Sequence, residues 1–321
     1  ANPDTPNYSL SEIEPMCGIA GFFYKNGGGE VPLGTRLSDM ATVLGSRGLD
    51  STGMALYGDL PSGHLALRVH LDSASGDTEA LLSEVRERVG EVATVASAQY
   101  SGNIARIELE GIADTGDLEH MTNITHAVES AGVELFSIGN AMEIVKDVGP
   151  ASELAVYDVG AFSGTHGIAH TRLATESRVD ICYSHPFWAR PFPDIAVVHN
   201  GQLTNDNKMR RSFQRRGYEF LTTNDSEVIA VFIADRLRAG ASLEEALTDS
   251  IEVLDGTFTY LVATREGIGF AKDRFSTKPL IIAEDEGFVA MASEEVALTP
   301  VMTANTKVHE PTARTVRTWH R

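Results

Sequence analysis

Met16-Cys17-Gly18-Ile19-Ala20-Gly21-Phe22-Phe23-Tyr24 carries the reading of the whole chain. The apolar run 17–24 stops at Lys25-Asn26-Gly27-Gly28-Gly29, which predicts a strand ended by a flexible turn. At its head stands a thiol. A thiolate is the most competent side-chain nucleophile near neutrality, and a free α-amine on the same residue, pKa about 7.7–8.0, serves as its general base. In a chain that begins at Cys17, one residue supplies both groups. The competing reading is a buried structural cysteine, the commoner fate of a lone one. The remaining segments decide between them.

The 321 residues are 42% hydrophobic, enough for a sizeable core in one large domain or one domain plus an insert. Against 45 Asp and Glu stand 26 Lys and Arg, a formal charge of -19 that opposes nucleic-acid backbone and anionic lipid. Contact with partner proteins through an acidic surface fits better. Cys17 and Cys182 are the two cysteines, so a disulfide framework is excluded and a reducing cytoplasm is the expected compartment. Cys182 reads as buried packing. Residues 1–16 have neither a basic start nor an apolar stretch, which makes them a leader or N-terminal arm rather than a signal peptide or anchor.

Along the chain, Leu37, Met40, Ala41 and Leu44 share one face of a helix over 34–46, and Met54-Ala55-Leu56-Tyr57 reads as the next strand. Between about 64 and 140 the pattern changes. A strand (65–71), a helix from Asp77 to Val89, strands at 92–98 and 103–109, a helix (117–131) and a strand (133–138) follow in the β-α-β-β-α-β order of a ferredoxin-like unit. This stretch reads as an insert. His64, His70, His120 and His126 within it share no metal-ligand spacing. Strands at 167–170, 195–199, 258–264, 267–272, 279–283 and 287–292 come next. Among them lie helices at 225–238, opened by Asp225-Ser226, and 242–254. Two antiparallel sheets faced by helices is the simplest packing for that inventory.

Four more segments carry chemistry: Arg47-Gly48-Leu49-Asp50-Ser51, His170-Thr171-Arg172-Leu173-Ala174-Thr175, His199-Asn200-Gly201-Gln202-Leu203 and Thr223-Asn224-Asp225-Ser226-Glu227-Val228. In this order after Met-Cys-Gly-Ile they closely resemble the class II glutamine amidotransferase domain, an N-terminal-nucleophile hydrolase. The resemblance spans 17–57 and 167–300. It implies an α+β fold, an αββα four-layer sandwich interrupted by the insert, with glutamine as nitrogen donor and a γ-glutamyl thioester on Cys17.

The residue chemistry agrees. Glutamine must be held by its α-carboxylate and α-ammonium: Arg172 offers a bidentate fork for the first, and Asp225 a counter-charge for the second. A tetrahedral intermediate needs donors at its oxyanion, and the Asn200 amide with the Gly201 N–H supplies two. Asn-Gly is also a hairpin-turn signal, and such a turn would point both donors inward. In the family the stretch after the arginine, here 172–180, closes over glutamine. Thr175 is then a substrate contact, although Leu173 stands where many members have Trp. His185, before Pro186, resembles the family's His-Pro pair in a supporting role. Arg47, Asp50 and Ser51 support the nucleophile, with Leu49 where Pro or Tyr is frequent.

The sequence holds neither a phosphate-cradling Gly-x-x-x-x-Gly-Lys nor a dinucleotide fingerprint. Little chain follows residue 300, so the released nitrogen is expected to serve another subunit. The layout resembles the stand-alone amidotransferase subunits of glutamate synthase-like complexes, among them N-methylglutamate synthase (methylamine–glutamate N-methyltransferase). That resemblance implies a hetero-oligomer, no cofactor in this chain, and FMN and an iron–sulfur cluster in a partner subunit. Two readings stay open. One is an active subunit that delivers ammonia or a small amine to a synthase. The other is a non-catalytic assembly or regulatory subunit whose attached leader gives Cys17 an amide nitrogen in place of a basic amine.

Overall fold

The computed structural model describes residues 17–71, 77–173 and 180–321. The apolar run forms strand β1 (Gly18–Tyr24), followed by α1 (Leu33–Leu44) and β2 (Ser51–Tyr57). Next come β3 (Leu65–His70), α2 (Thr78–Gly90), β4 (Thr94–Ser101), β5 (Ile104–Glu110), α3 (Leu118–Glu129) and β6 (Glu134–Gly139). The chain returns through β7 (Met142–Val148), two 3-10 turns, β8 (His166–Arg172), β9 (Phe187–Trp188) and β10 (Ile195–Leu203). Helices α4 (Asp206–Gln214), α5 (Asp225–Arg238) and α6 (Leu243–Val253) precede β11 (Gly256–Thr264) and β12 (Gly267–Lys272). The remaining strands are β13 (Ile281–Glu284), β14 (Phe288–Ala292), β15 (Lys307–His309) and β16 (Val316–His320).

These strands make three sheets: seven strands in the order β15-β13-β14-β1-β8-β2-β7, five in the order β16-β12-β11-β10-β9, and four in the order β4-β5-β3-β6. All pairings are antiparallel. The first two sheets face each other. A Cβ on Gly21 of β1 would touch Leu261 and Ile268 of the five-stranded sheet, and the Tyr57 hydroxyl donates across to the Ala263 carbonyl at 2.7 Å. Helix α1 buries Leu33, Leu37, Met40, Ala41 and Leu44 against the seven-stranded sheet, each worth roughly 1.5–3 kcal/mol for the larger side chains. Helices α5 and α6 cover the five-stranded sheet around Val228, Ile229, Phe232, Leu243 and Leu247. Every residue of α5 from Ser226 to Ala234 is buried, so this helix is enclosed on all sides rather than along a single apolar stripe.

The stretch expected as an insert builds the four-stranded sheet, whose strands pair only with each other. It leaves and re-enters the seven-stranded sheet between two neighbours, since β2 pairs with β7 from Ser51↔Val148 to Tyr57↔Met142. A buried charge cluster fastens it there: Glu143 of β7 accepts from Arg68 Nε of β3 at 2.7 Å and Arg106 Nε of β5 at 3.0 Å. Asp194, 7% exposed, accepts from the backbone N–H groups of Asn140, Ala141 and Met142 at the return point.

Candidate active site

Cys17 sits at the lip of β1, beside the neighbouring strand β8, where Gly18 pairs with Thr171. Its carbonyl is held from two sides, by Asn200 Nδ2 at 3.0 Å and Arg47 Nε at 3.2 Å. Its thiol lies 3.9 Å from the Leu173 carbonyl. Burial pushes the thiol above its ordinary pKa, and the Arg172 and Arg47 guanidiniums pull it back only in part. A base close to the sulfur is therefore what the site needs to generate a thiolate.

The Arg47–Ser51 segment braces Cys17 and Arg172 together. Arg47 is 8% exposed and pairs through Nη1 with Glu294 at 2.6 Å, a partner the sequence reading missed. The Asp50 N–H donates to the Arg172 carbonyl at 3.0 Å, and Ser51 is the strand partner of Arg172. Gly48 is required by close approach: a Cβ there would lie 2.4 Å from the Arg172 carbonyl carbon. Arg172, 5% exposed, ends β8 with its charge acting on the Cys17 thiol. Thr175 and most of the stretch expected to close over substrate fall at 174–179, outside the described residues.

Asn200 and Gly201 correct one expectation. They form no hairpin turn; both lie inside β10, paired with Thr259 and Phe258, and the ladder runs on to Leu203↔Gly256. An Asn-Gly pair turns a chain only where the flanking strands end, and here both strands continue past it. The glycine has another purpose. Its φ is +143°, and a Cβ would lie 2.1 Å from the Thr257 carbonyl oxygen. Both residues are thus held by a rigid strand.

Asp225 begins α5, but the cap of that helix is Asn224, whose side chain accepts from the Ser226 N–H at 2.9 Å. Asp225 Oδ2 accepts from the Leu203 N–H at 2.8 Å, and Oδ1 lies 3.6 Å from His199 Nδ1. Burial raises this carboxyl, yet His199, the Leu203 N–H and Ser226 outweigh it and hold the pKa below the ordinary aspartate value. Glu227 fixes the preceding turn by accepting from Leu221 and Thr222, and Arg210 of α4 donates to the Thr222 and Asn224 carbonyls, both at 2.6 Å. No sequence signal marked Arg210.

His185 lies against the first turn of α5. Its Nε2 is 2.8 Å from the Ser226 hydroxyl, its ring stacks on His170 at 4.0 Å, and a cis bond joins it to Pro186. His199 Nδ1 is 2.9 Å from the same hydroxyl. His170, His199 and Ser226 lay within the quoted segments, but nothing in their spacing marked them as one cluster. Cys182, expected in the core, is only partly buried in the 3-10 turn 181–183.

A glutamine amidotransferase domain family matches residues 170–300. A Methanothermobacter thermautotrophicus protein provisionally named a glutamine amidotransferase is 39% identical over 297 residues, covering 89% of this chain and 94% of its own length. The chain belongs to the class II glutamine amidotransferase family. The glutamine amidotransferase-like protein GlxB of Rhizobium meliloti is 36% identical over 306 residues, 95% of this chain and 98% of that one. A glutamine–fructose-6-phosphate aminotransferase of Vibrio vulnificus is 32% identical over 205 residues, and there the match spans 64% of this amidotransferase and 32% of the larger enzyme. Among solved structures, the glutamine phosphoribosylpyrophosphate amidotransferase of B. subtilis overlays 95% of the chain with a TM-score of 0.56 at 17% identity, a likeness of fold over 49% of that protein. No helix among the described residues is long and apolar enough to cross a membrane.

Proposed function

We propose that this amidotransferase releases ammonia, or a small amine, from glutamine or a γ-glutamyl amide through a thioester on Cys17. One observation carries the reading: the Asn200 amide, the Arg47 guanidinium and the thiol-bearing residue meet at Cys17, with the Arg172 charge acting on the same thiol. In a form that begins at Cys17, the α-amine takes the thiol proton and sulfur attacks the side-chain carboxamide. Asn200 and Gly201 hold the oxyanion, the C–N bond breaks as the α-ammonium returns the proton to the leaving nitrogen, and water cleaves the thioester to glutamate. Arg172 binds the α-carboxylate, Asp225 the α-ammonium, and Thr175 contacts the substrate. Arg47, Asp50, Ser51 and His185 hold these groups in place.

The layers around the site support an αββα sandwich of N-terminal-nucleophile type, with 17–321 as the amidotransferase domain and 64–140 as a ferredoxin-like insert. The leader 1–16 would be removed to free the amine. The nitrogen goes to a glutamate synthase-like partner of the N-methylglutamate synthase kind, a cytoplasmic hetero-oligomer whose FMN and iron–sulfur cluster reside in another subunit. The raised thiol pKa favours the second reading, a non-catalytic assembly subunit, for any form in which Cys17 keeps an amide nitrogen.

The test is turnover by a form starting at Cys17, purified from the native host. Glutamine hydrolysis that disappears in Cys17→Ala, with a flavoprotein co-purifying, is the expected result. Unchanged activity in Cys17→Ala would remove the nucleophile assignment, and a fully active monomer without a flavoprotein would remove the partner.

A further inference from the structure

Behind Asp225 lies a buried polar cluster that the thioester chemistry does not use. Ser226, His170 and His199 are 1%, 1% and 3% exposed, and His185 is 7% exposed. The Ser226 hydroxyl has three polar neighbours: His185 Nε2 at 2.8 Å, His199 Nδ1 at 2.9 Å and Asp225 Oδ1 at 3.3 Å. These imidazoles form no metal-holding group among the described residues.

The proton count sets the direction of this network. A serine hydroxyl carries one hydrogen and two lone pairs, and a neutral imidazole carries one N–H. Burial holds His185 far below the ordinary histidine pKa and His170 down to about 3, so both rings are neutral. If Ser226 donated to either histidine, Asp225 Oδ1 would face an oxygen lone pair. The arrangement without that conflict has His185 Nε2–H and His199 Nδ1–H donating into the hydroxyl while the hydroxyl donates to Asp225 Oδ1. It leaves His185 Nδ1 as a bare lone pair, and that nitrogen finds no hydrogen-bond partner among the described residues, nor do His199 Nε2 and His170 Nε2. With the Leu203 N–H on Oδ2, both oxygens of Asp225 are then held by donors.

We infer that Ser226 is a positioning residue for substrate selection: polarised by His185 and His199, it orients Asp225 and keeps it anionic so that the site demands an α-ammonium on its ligand. The inference rests on the glutamine reading of the site. Cooperative donation strengthens the last bond of such a chain, the one to the carboxylate. Discrimination between glutamine and glutaramate, the same carboxamide without the α-amino group, is therefore set at position 226 as well as at Asp225.

Binding separates this from catalysis. Affinity for glutamine and for glutaramate is measured by calorimetry on Cys17→Ala protein, in which no turnover is needed. In that background Ser226→Ala should weaken glutamine by about tenfold, the weight of one charge-assisted hydrogen bond, and leave glutaramate unchanged. Ser226→Thr, which keeps the hydroxyl, should restore glutamine binding. Ser226→Cys, of similar size but a poor donor, should behave as Ser226→Ala and serves if the alanine form does not fold. Equal losses for both ligands, or none, would overturn the inference, as would a Cys17→Ala protein that binds the two ligands alike. Failure of the parent enzyme to hydrolyse glutamine would instead count against the proposed function alone.

Discussion

Two side chains in the site are expected to fail in different ways. Arg172 would hold glutamine in the ground state and the transition state equally, so replacing its fork with a point charge should raise KM and spare kcat. As the proposed oxyanion donor, Asn200 would meet charge only as it develops. Arg172→Lys is therefore expected to raise KM at least about tenfold, and Asn200→Ala to lower kcat by about 10²–10³. Steady-state kinetics on the processed enzyme checks both, and a KM effect for Asn200→Ala with normal kcat would reverse the assignment. Most of these residues were legible because each belongs to a short segment of fixed order. Ser226, His170 and His199 were not, since a buried hydroxyl between two rings depends on α5, β10 and the His185 loop meeting in space.

At the scale of elements, the Arg47–Ser51 loop and β8 behave as one piece. Gly48 admits the Arg172 carbonyl where a methyl would stand 2.4 Å away, so Gly48→Ala must push β8 outward at its last residue. The expected result is a raised KM for glutamine with little change in global stability. Gly90→Ala, at the end of α2 with open space around its Cβ, is the control. A normal KM in Gly48→Ala would show that the loop yields rather than the strand. Strong apolar periodicity made α1, α5, α6 and the strands of the insert readable in advance. β7 was missed because Glu143 and Lys146 break its pattern, and both are buried there by ion pairs, with Arg68 of β3 and Glu134 of β6. α4 escaped for a similar reason: its anchors are Met209 and Phe213 alone, with Arg210 buried between them.

The whole molecule buries histidines that its unfolded chain would expose. Burial lowers His166 to about 4 and His170 to about 3, against about 6.5 in the unfolded state. Below pH about 6.5 the unfolded chain binds protons that the folded one refuses, so stability falls as pH falls. The loss is up to about 1.4 kcal/mol per pH unit for each such ring, continuing to about pH 4 for His166. Urea midpoints should therefore drop between pH about 7 and about 5, before most carboxylates titrate. His166→Gln should flatten the slope by one proton's worth. A midpoint constant across that range would contradict the buried neutral rings.

The pairing of β2 with β7 has a wider consequence. Because Tyr57 and Met142 are strand partners, everything between them departs and returns through one gate about 4.5–5.5 Å wide. Seven rungs from Ser51 to Tyr57 hold that gate. The closure cost of whatever occupies it depends only weakly on its length. The core amidotransferase is in this sense a socket. Evolution, or an engineer, could exchange the segment seated there for one with different surface contacts, provided the newcomer brings its own counter-charge for Glu143, and the chemistry proposed for Cys17 would carry on untouched.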